Sequence, residues 1–216
     1  YECTNSPTPF YKATMRMIAG VGPNGAWEVK LQDGTIYQFG IKVLLGDILG
    51  VHASTNRLSA IQDRFGHRLT IIRDNDLRMT KIVSPNGRSV QFTYSDTSKR
   101  IATATDNTGR VVSYTYDAGG RLWKVTDAKG GITEYTYDSV DRMLTIKDPR
   151  GIVFLTNEYD ANGRVFRQTQ ADTSVFQFAY TLNGSGKVTQ TDVTNPRGYL
   201  RRMTFNSDGF TLTDKL

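Results

Sequence analysis

The sequence is poor in the residues that form disulfides and metal sites. Its 216 residues include one cysteine, Cys3, two histidines, His52 and His67, and six prolines. One cysteine cannot form an internal disulfide, and these three residues do not supply the ligand spacing of a zinc site. No apolar run approaches the roughly 20 residues that span a bilayer as a helix. Packing and backbone pairing must therefore stabilise the fold.

Helical patterning is also missing, because no segment of about 10 to 15 residues carries sustained apolar residues at helical spacing. The chain has 11 Tyr and 10 Phe, with Thr and Val between them, a mixture that suits half-buried strands. Hydrophobic residues make up 38% and charged residues 22%, so the composition is not that of a disordered chain. The composition favours an all-β protein.

An internal repeat of about 21 residues dominates the sequence, and such a period changes the prediction of the whole fold. Five aspartates lie 22, 21, 21 and 22 residues apart, and each is followed four residues later by an arginine. A tyrosine directly precedes most of these acids. The aspartates are Asp74, Asp96, Asp117, Asp138 and Asp160, and the arginines are Arg78, Arg100, Arg121, Arg142 and Arg164.

A second signal lies between these points, an apolar pair followed by an acidic residue and a glycine. It is clear in residues 122–130, and further copies end at Gly87, Gly109 and Gly151, while the copy near Thr173 has lost its glycine. Each repeat is therefore predicted to hold two strands and two turns. Asn162-Gly163 is a strong hairpin signal, since both residues accept positive φ at little cost.

One hairpin is marginally stable in water, but hairpins stacked side by side pair their strands. We therefore predict an all-β fold of tandem β-hairpin repeats, stacked in a mainly antiparallel, curled β-sheet strip. Residues 1–24 are expected to be an irregular segment or cap, 25–52 a β segment before the repeats, and 53–216 the repeats. The start at Tyr1 and the unfinished repeat near Leu216 suggest a segment of a longer chain.

The aspartate and arginine rows have two interpretations. They could form a ligand-binding charge ladder. The favoured interpretation is turn chemistry, in which Asp hydrogen-bonds the turn backbone and Arg pairs with Asp of its own or the next repeat. Such pairs are expected to be exposed and individually weak, and to discourage association between sheet edges.

The pattern Tyr-Asp, turn, Gly-Arg, apolar pair, Thr-Asp, turn, Gly resembles the YD repeat of Rhs proteins, most clearly over residues 109–160. Residues 27–40 also resemble the segment that precedes the repeats in Rhs cores. The resemblance implies a β-sheet that spirals into a hollow shell, often closed around a C-terminal toxin in bacterial Rhs and toxin-complex proteins. Teneurins, which are animal adhesion proteins, carry a similar shell.

Several short motifs are better explained as turns than as chemistry. The string Asp148-Pro149-Arg150-Gly151 is similar to the self-cleavage segment that ends Rhs cores, but it falls on an ordinary repeat turn. Asn183-Gly184-Ser185 is formally a glycosylation sequon. Asp74-Asn75-Asp76 lacks the rest of a calcium loop. Cys3, His52 and His67 have no partner that the sequence identifies, so we predict no catalytic, cofactor-binding or metal-ligating residue.

The prediction for function is a non-enzymatic segment of an Rhs-type shell that encloses and delivers a C-terminal toxin. The expected partners are the rest of the parent shell and its toxin, and the expected location is secreted or cell-surface associated, in a bacterium. The alternative is an adhesion or carbohydrate-binding module that uses Tyr114, Tyr135 and Tyr137 as stacking platforms. The net charge of +6 is spread among Asp-paired arginines, which argues against nucleic-acid binding.

Overall fold

The computed structural model describes residues 12–18, 26–40, 57–95 and 99–216, and over these ranges it contains 18 strands and no helix. Accordingly, this part of the chain offers no helix long and apolar enough to cross a membrane. The chain divides into two compact units, residues 1–113 and 114–216, and strand β9 begins in the first and ends in the second.

The first unit holds nine strands or parts of strands: β1 (Thr14–Ile18), β2 (Ala26–Lys30), β3 (Ile36–Phe39), β4 (Leu58–Gln62), β5 (Arg68–Arg73), β6 (Met79–Val83), β7 (Ser89–Tyr94), β8 (Ile101–Asp106) and the start of β9 (Val111–Tyr116). Each strand pairs antiparallel with the next one along the chain.

The second unit continues with the end of β9 and with β10 (Leu122–Thr126), β11 (Ile132–Tyr137), β12 (Met143–Lys147), β13 (Val153–Tyr159), β14 (Val165–Gln170), β15 (Val175–Leu182), β16 (Val188–Thr194), β17 (Leu200–Phe205) and β18 (Thr211–Lys215). From β10 onward each strand again pairs antiparallel with its successor. The prediction of an all-β, antiparallel sheet of hairpin repeats is confirmed.

Alternate residues of neighbouring strands form rows on opposite faces, as the two-residue period of a strand requires. In the second unit, one row is aromatic and aliphatic and the other is threonine. The Oγ1 atoms of Thr136 and Thr145 are 2.6 Å apart and share a hydrogen bond. The cross-strand partners are Tyr135, Ile146 and Leu155 in the first row and Thr136, Thr145 and Thr156 in the second.

Few apolar side chains are buried in this sheet. Among the described residues, the buried apolar side chains all belong to the first unit: Ala13, Ala26, Leu31, Ala60 and Ile71. In the described second unit, the buried side chains are polar, Asn157 at 5% and Thr191 at 9% exposure. Stability therefore depends on contacts between adjacent strands rather than on a core between two layers.

The turns share one hydrogen-bonding plan. At the loop after β10, the Asp127 N–H donates to the Gly131 carbonyl at 2.8 Å and the Gly130 N–H to the Asp127 carbonyl at 3.0 Å. The Asp127 Oδ1 accepts from the N–H groups of Lys129 and Gly131. Gly130 has φ +85°, as the turn placement predicts. This is the three-residue hairpin loop that ends in a left-handed residue.

The hairpin predicted at Asn162-Gly163 follows the same plan. Gly163 has φ +78°, and Asn162 is not among the residues with positive φ. The loop has three residues, so only its last position is left-handed. Where the sequence lacks glycine at that position, Leu77, Asp141 and Thr173 take φ values of 64°, 68° and 66°.

Replacing Gly130 with Val should lower the free energy of unfolding by about 1–3 kcal/mol. No heavy atom lies within 4 Å of the Cβ position at Gly130, so the cost comes from the backbone conformation alone. Gly184 has equally open surroundings but no positive φ. Gly184→Ala should therefore change stability by less than about 0.5 kcal/mol. Chemical denaturation of both variants checks this, and equal effects would contradict the turn assignment.

Candidate functional site

The aspartate of each Tyr-Asp turn is bound by its own turn and by the arginine four residues later. The Asp138 Oδ1 accepts from the N–H groups of Val140 and Arg142, and its Oδ2 accepts from the Arg142 Nε at 2.6 Å. The same pair forms at the other described turns of this type, Asp74–Arg78, Asp117–Arg121 and Asp160–Arg164. The pair Asp96–Arg100 lies partly outside the described residues, because Asp96 is not among them.

These ion pairs are more buried than the sequence predicts. The side chain of Asp138 is 16% exposed and that of Arg142 is 33% exposed. Arg121 pairs with its own Asp117 and also donates from Nη1 to the Asp141 Oδ1 of the next repeat at 3.0 Å. The interpretation as turn chemistry is confirmed, and the pairs also connect repeats.

The hydrogen bonds fix the charge state of these carboxylates. The backbone N–H and then the guanidinium of Arg121 hold the pKa of Asp117 below its ordinary value. The backbone N–H of Arg164 is the main cause that lowers the pKa of Asp160. A carboxylate held ionised in this way is poorly suited to exchange protons near neutral pH.

The tyrosine of the next repeat packs on the arginine of the preceding one. The guanidinium carbon of Arg121 lies 5.0 Å from the centre of the Tyr137 ring. The Tyr137 hydroxyl donates to the Leu122 carbonyl at 2.7 Å, and burial raises the pKa of this hydroxyl, which therefore stays a donor. A register shift in the pairing of β11 with β12 lies between Thr136 and Tyr137.

We call this arrangement of Asp, Arg, the following Tyr and the backbone carbonyl the repeat clamp. It recurs with the same atoms at three further places in the two units. The cation–ring distances are 5.2 Å for Arg78–Tyr94, 4.7 Å for Arg142–Tyr159 and 4.9 Å for Arg164–Tyr180. The hydroxyl groups donate at 2.7 Å to the carbonyls of Met79, Met143 and Val165, respectively.

Arg73 replaces the tyrosine in an earlier copy, which the sequence analysis missed. It directly precedes Asp74, and its Nη2 donates to the Leu58 carbonyl at 3.1 Å, 15 residues earlier, as Tyr94 does to Met79. Burial and the nearby charge of Arg57 lower the pKa of Arg73, and its Nε has no hydrogen-bond partner among the described residues. The signal in the sequence was the spacing, since Arg57-Leu58 matches Arg121-Leu122.

The last repeats keep the turn but lose the ion pair. The Asn183 Oδ1 accepts from the N–H groups of Ser185 and Lys187 and from the Ser185 hydroxyl at 2.8 Å. The Lys187 Nζ donates to the Ser207 carbonyl at 3.0 Å. At Asn206, the side chain again accepts from the turn backbone, and Phe210 stands where arginine would.

The candidate residues for chemistry are not brought together. Cys3 and His52 lie outside the described residues. His67 is exposed and places its Nδ1 2.8 Å from the Asp63 Oδ2. Arg78 holds both Asp74 and Asp76, and no cluster of His, Cys, Asp or Glu within the described ranges could hold a metal ion.

The strings that resemble functional motifs lie in ordinary turns. Asp148 accepts from the N–H groups of Arg150 and Ile152, and Gly151 has φ +83°, as in the Asp127 turn. The adjacent arginines near the end of the chain are neutralised. Arg201 pairs with Asp214 at 2.5 Å, and Arg202 pairs with Asp192 at 2.7 Å.

Replacing Arg73 with Tyr should stabilise the chain, because it exchanges repulsion from Arg57 for a cation–π contact and keeps a donor for the Leu58 carbonyl. We expect the melting temperature to rise by about 2 °C or more. Arg73→Met, which has neither donor nor ring, should lower it. Thermal unfolding of both variants checks this, and an equal loss in both would show that Arg73 does not stand in for tyrosine.

The repeated part of the sequence matches the model of a known family. Two overlapping stretches, residues 96–132 and 124–153, match the model of the RHS Repeat family. No curated protein gives a significant match to the sequence.

Solved structures that match the chain have low identity. TcdB2-TccC3 without its hypervariable C-terminal region is 15% identical, with a TM-score of 0.48 over 82% of this chain and 12% of that one. A variant of the Photorhabdus luminescens Tc holotoxin pore is 14% identical, with a TM-score of 0.44 over 87% and 10%. A porin-like protein from Bacteroides uniformis is 12% identical, with a TM-score of 0.36 over 93% and 91%.

This chain therefore spans only a small part of the two Tc structures, 12% and 10% of their lengths. The family match itself falls on β8 to β12 and includes the clamp formed by Asp117, Arg121 and Tyr137. The chain accordingly contains repeats of the RHS family, matched over residues 96–153.

Proposed function

We propose that this chain is a non-catalytic wall segment of an RHS-repeat shell that encloses and delivers a C-terminal toxin of a bacterial polymorphic toxin. The observation that carries the proposal is the combination of clamped hairpins with almost no buried apolar side chain in the described residues. Such an array gains stability by adding neighbours at its strand edges, as repeat proteins do. Its partners would be the rest of the parent shell and the enclosed toxin.

The two faces of the sheet differ in a way that suits a wall. In the second unit, the row that contains Tyr135, Ile146 and Leu155 is half-buried, and the opposite row is threonine. An aromatic and aliphatic face can contact apolar segments of an enclosed polypeptide, while a threonine face with satisfied hydroxyl groups is compatible with water. The proposal assigns the first face to the interior.

The absence of a catalytic role is part of the proposal. The turn carboxylates are tied up by backbone N–H groups and arginines, as at Asp117 and Asp160. Those bonds favour a structural role over proton transfer. We also propose a secreted or cell-surface location. We propose no nucleic-acid partner, because Arg201 and Arg202 are already paired.

A glycan-binding module is the alternative. The structure reduces the number of tyrosines that could act as stacking platforms for a sugar. Tyr137 has its ring under Arg121 and its hydroxyl on the Leu122 carbonyl, so it is a poor stacking platform. Tyr114 and Tyr135 are half-buried and precede threonine instead of aspartate, so they do not occupy the clamp position. A glycan-array signal that Tyr135→Ala removes and Tyr137→Phe retains would favour this alternative.

Limited proteolysis of the full parent protein tests enclosure. The parent gene should encode further repeats on both sides of this segment, followed by a variable tail. The tail should resist protease while the shell is intact and become sensitive when the shell is opened by denaturant, because a closed wall excludes the protease. A gene that ends shortly after Leu216, or a tail cut as fast in the intact protein as in the opened one, would contradict the proposal.

A further inference from the structure

A cavity of about 700 Å³ lies in the first unit, at the sheet margin opposite the Tyr-Asp turns. Three consecutive loops contribute to its lining, residues 63–67, 84–88 and 106–110. Because the loops alternate with strands, neighbouring loops at this margin are two strand spacings, about 10 Å, apart. The cavity has the size of a site for a short peptide or a small ligand.

The cavity coincides with a local departure from the repeat. The residue that follows the left-handed position and closes the loop at this margin is His67, Arg88 and Arg110 in three successive copies. In the second unit, the equivalent residues are Gly131, Ile152, Ser174 and Tyr199. The hairpin loop therefore does not require a basic residue at this position, and the basic cluster needs another explanation.

The strong acceptors around the cavity are already used. Asp106 accepts from the N–H groups of Thr108 and Arg110, from the Thr108 hydroxyl and from the Arg110 Nε at 2.7 Å. The Thr108 hydroxyl and the Arg110 guanidinium hold the pKa of Asp106 well below its ordinary value. Asp106 and Arg110 thus neutralise each other.

The two amides of the cavity present donors. The Asn86 Oδ1 accepts from the Ser84 hydroxyl at 2.5 Å and from the Arg88 N–H at 3.3 Å. The Asn107 N–H donates to the Ser89 carbonyl at 3.0 Å, and the Asn107 Oδ1 accepts from the Ser89 N–H at 3.4 Å. Both amide oxygens accept hydrogen bonds, and neither Nδ2 has a hydrogen-bond partner within the described residues, so each can donate to a ligand.

Arg88 supplies a positive charge that no ion pair within the described residues compensates. Its side chain is exposed, and its backbone N–H and carbonyl, rather than its guanidinium, make its contacts within the loop. With Asp106 cancelled by Arg110, this guanidinium leaves the lining with an excess of positive charge. A guanidinium fork is well matched to a carboxylate.

The floor of the cavity is aliphatic. Ile82 and Val90 are cross-strand partners of β6 and β7, and Val90 is 36% exposed. An aliphatic floor without an aromatic ring suits a branched side chain better than a sugar ring, which prefers an aromatic platform. A ligand with a carboxylate, amide carbonyls and an aliphatic group would complement Arg88, the two amides and the aliphatic floor.

We propose that this cavity binds an acidic peptide segment in which a glutamate or aspartate lies beside an aliphatic residue. The carboxylate pairs with Arg88, the aliphatic side chain packs on Ile82 and Val90, and peptide carbonyls accept from the Nδ2 atoms of Asn86 and Asn107. This site lies within one unit of the chain and does not depend on the proposed shell.

NMR titration of the 216-residue chain with acetyl-Val-Glu-Leu-amide tests the site, with acetyl-Val-Gln-Leu-amide as the matched neutral peptide. We expect saturable shifts confined to residues 63–67, 82–90 and 106–110, and binding of the neutral peptide weaker by about tenfold or more. Added salt should weaken the binding of the acidic peptide, since its carboxylate pairs with an exposed cation.

Arg88→Ser is the informative variant, because Ser174 occupies the same loop position in another repeat and the loop bonds to residue 88 use its backbone. This variant should bind the acidic peptide about tenfold more weakly, and the melting temperature of the protein should be unchanged. Lys129→Ser removes the same charge from a different loop and should leave binding unchanged. Equal affinity of the two peptides, full binding by Arg88→Ser, shifts elsewhere, or tighter binding of glucuronic acid than of the peptide would overturn the proposal.

Discussion

The contact on which the sheet depends is the one that Tyr, Arg and Asp make between consecutive repeats. A single antiparallel hairpin is only marginally stable in water. The described second unit buries no apolar side chain that could join neighbouring hairpins through a hydrophobic core. At four places in the described residues, the clamp adds a ring–guanidinium contact, a hydroxyl bond to a backbone carbonyl and a partly buried ion pair, as at Arg142 and Tyr159. Each of these repeats is therefore completed by the tyrosine that its successor supplies.

The two margins of the sheet differ in how freely the residue after the turn can vary. At the Tyr-Asp margin, the arginine after the turn is occupied by the clamp, so substitution there disturbs the neighbouring repeat. At the opposite margin, the loops close through backbone hydrogen bonds, and the residue that closes the loop varies from Arg88 to Ile152 and Ser174. A binding specificity can therefore be placed at this margin without weakening the stack.

Much of this architecture could be predicted from the sequence, because its determinants are local. Asp127 and Gly130 fix a loop through atoms within four residues, so spacing alone located it. The contribution of Arg73 was missed, because its carbonyl partner lies 15 residues away and becomes visible only with the strand register. The Asn162-Gly163 dipeptide indicated a hairpin, but the dipeptide did not specify the three-residue loop, in which Gly163 has the positive φ. The cavity was not predicted from the sequence, because its lining comes from three loops that only the strand register brings side by side.

The most direct test of the clamp is a double-mutant cycle on Arg142 and Tyr159, with Arg142→Met and Tyr159→Leu measured singly and together by chemical denaturation. Because the guanidinium carbon lies 4.7 Å from the ring centre, we predict a coupling free energy of about 0.5–1 kcal/mol. The control pair Arg142→Met and Tyr180→Leu should be additive, since Tyr180 packs on Arg164 instead. Additive effects for Arg142 and Tyr159 would contradict the claim that the clamp joins neighbouring repeats.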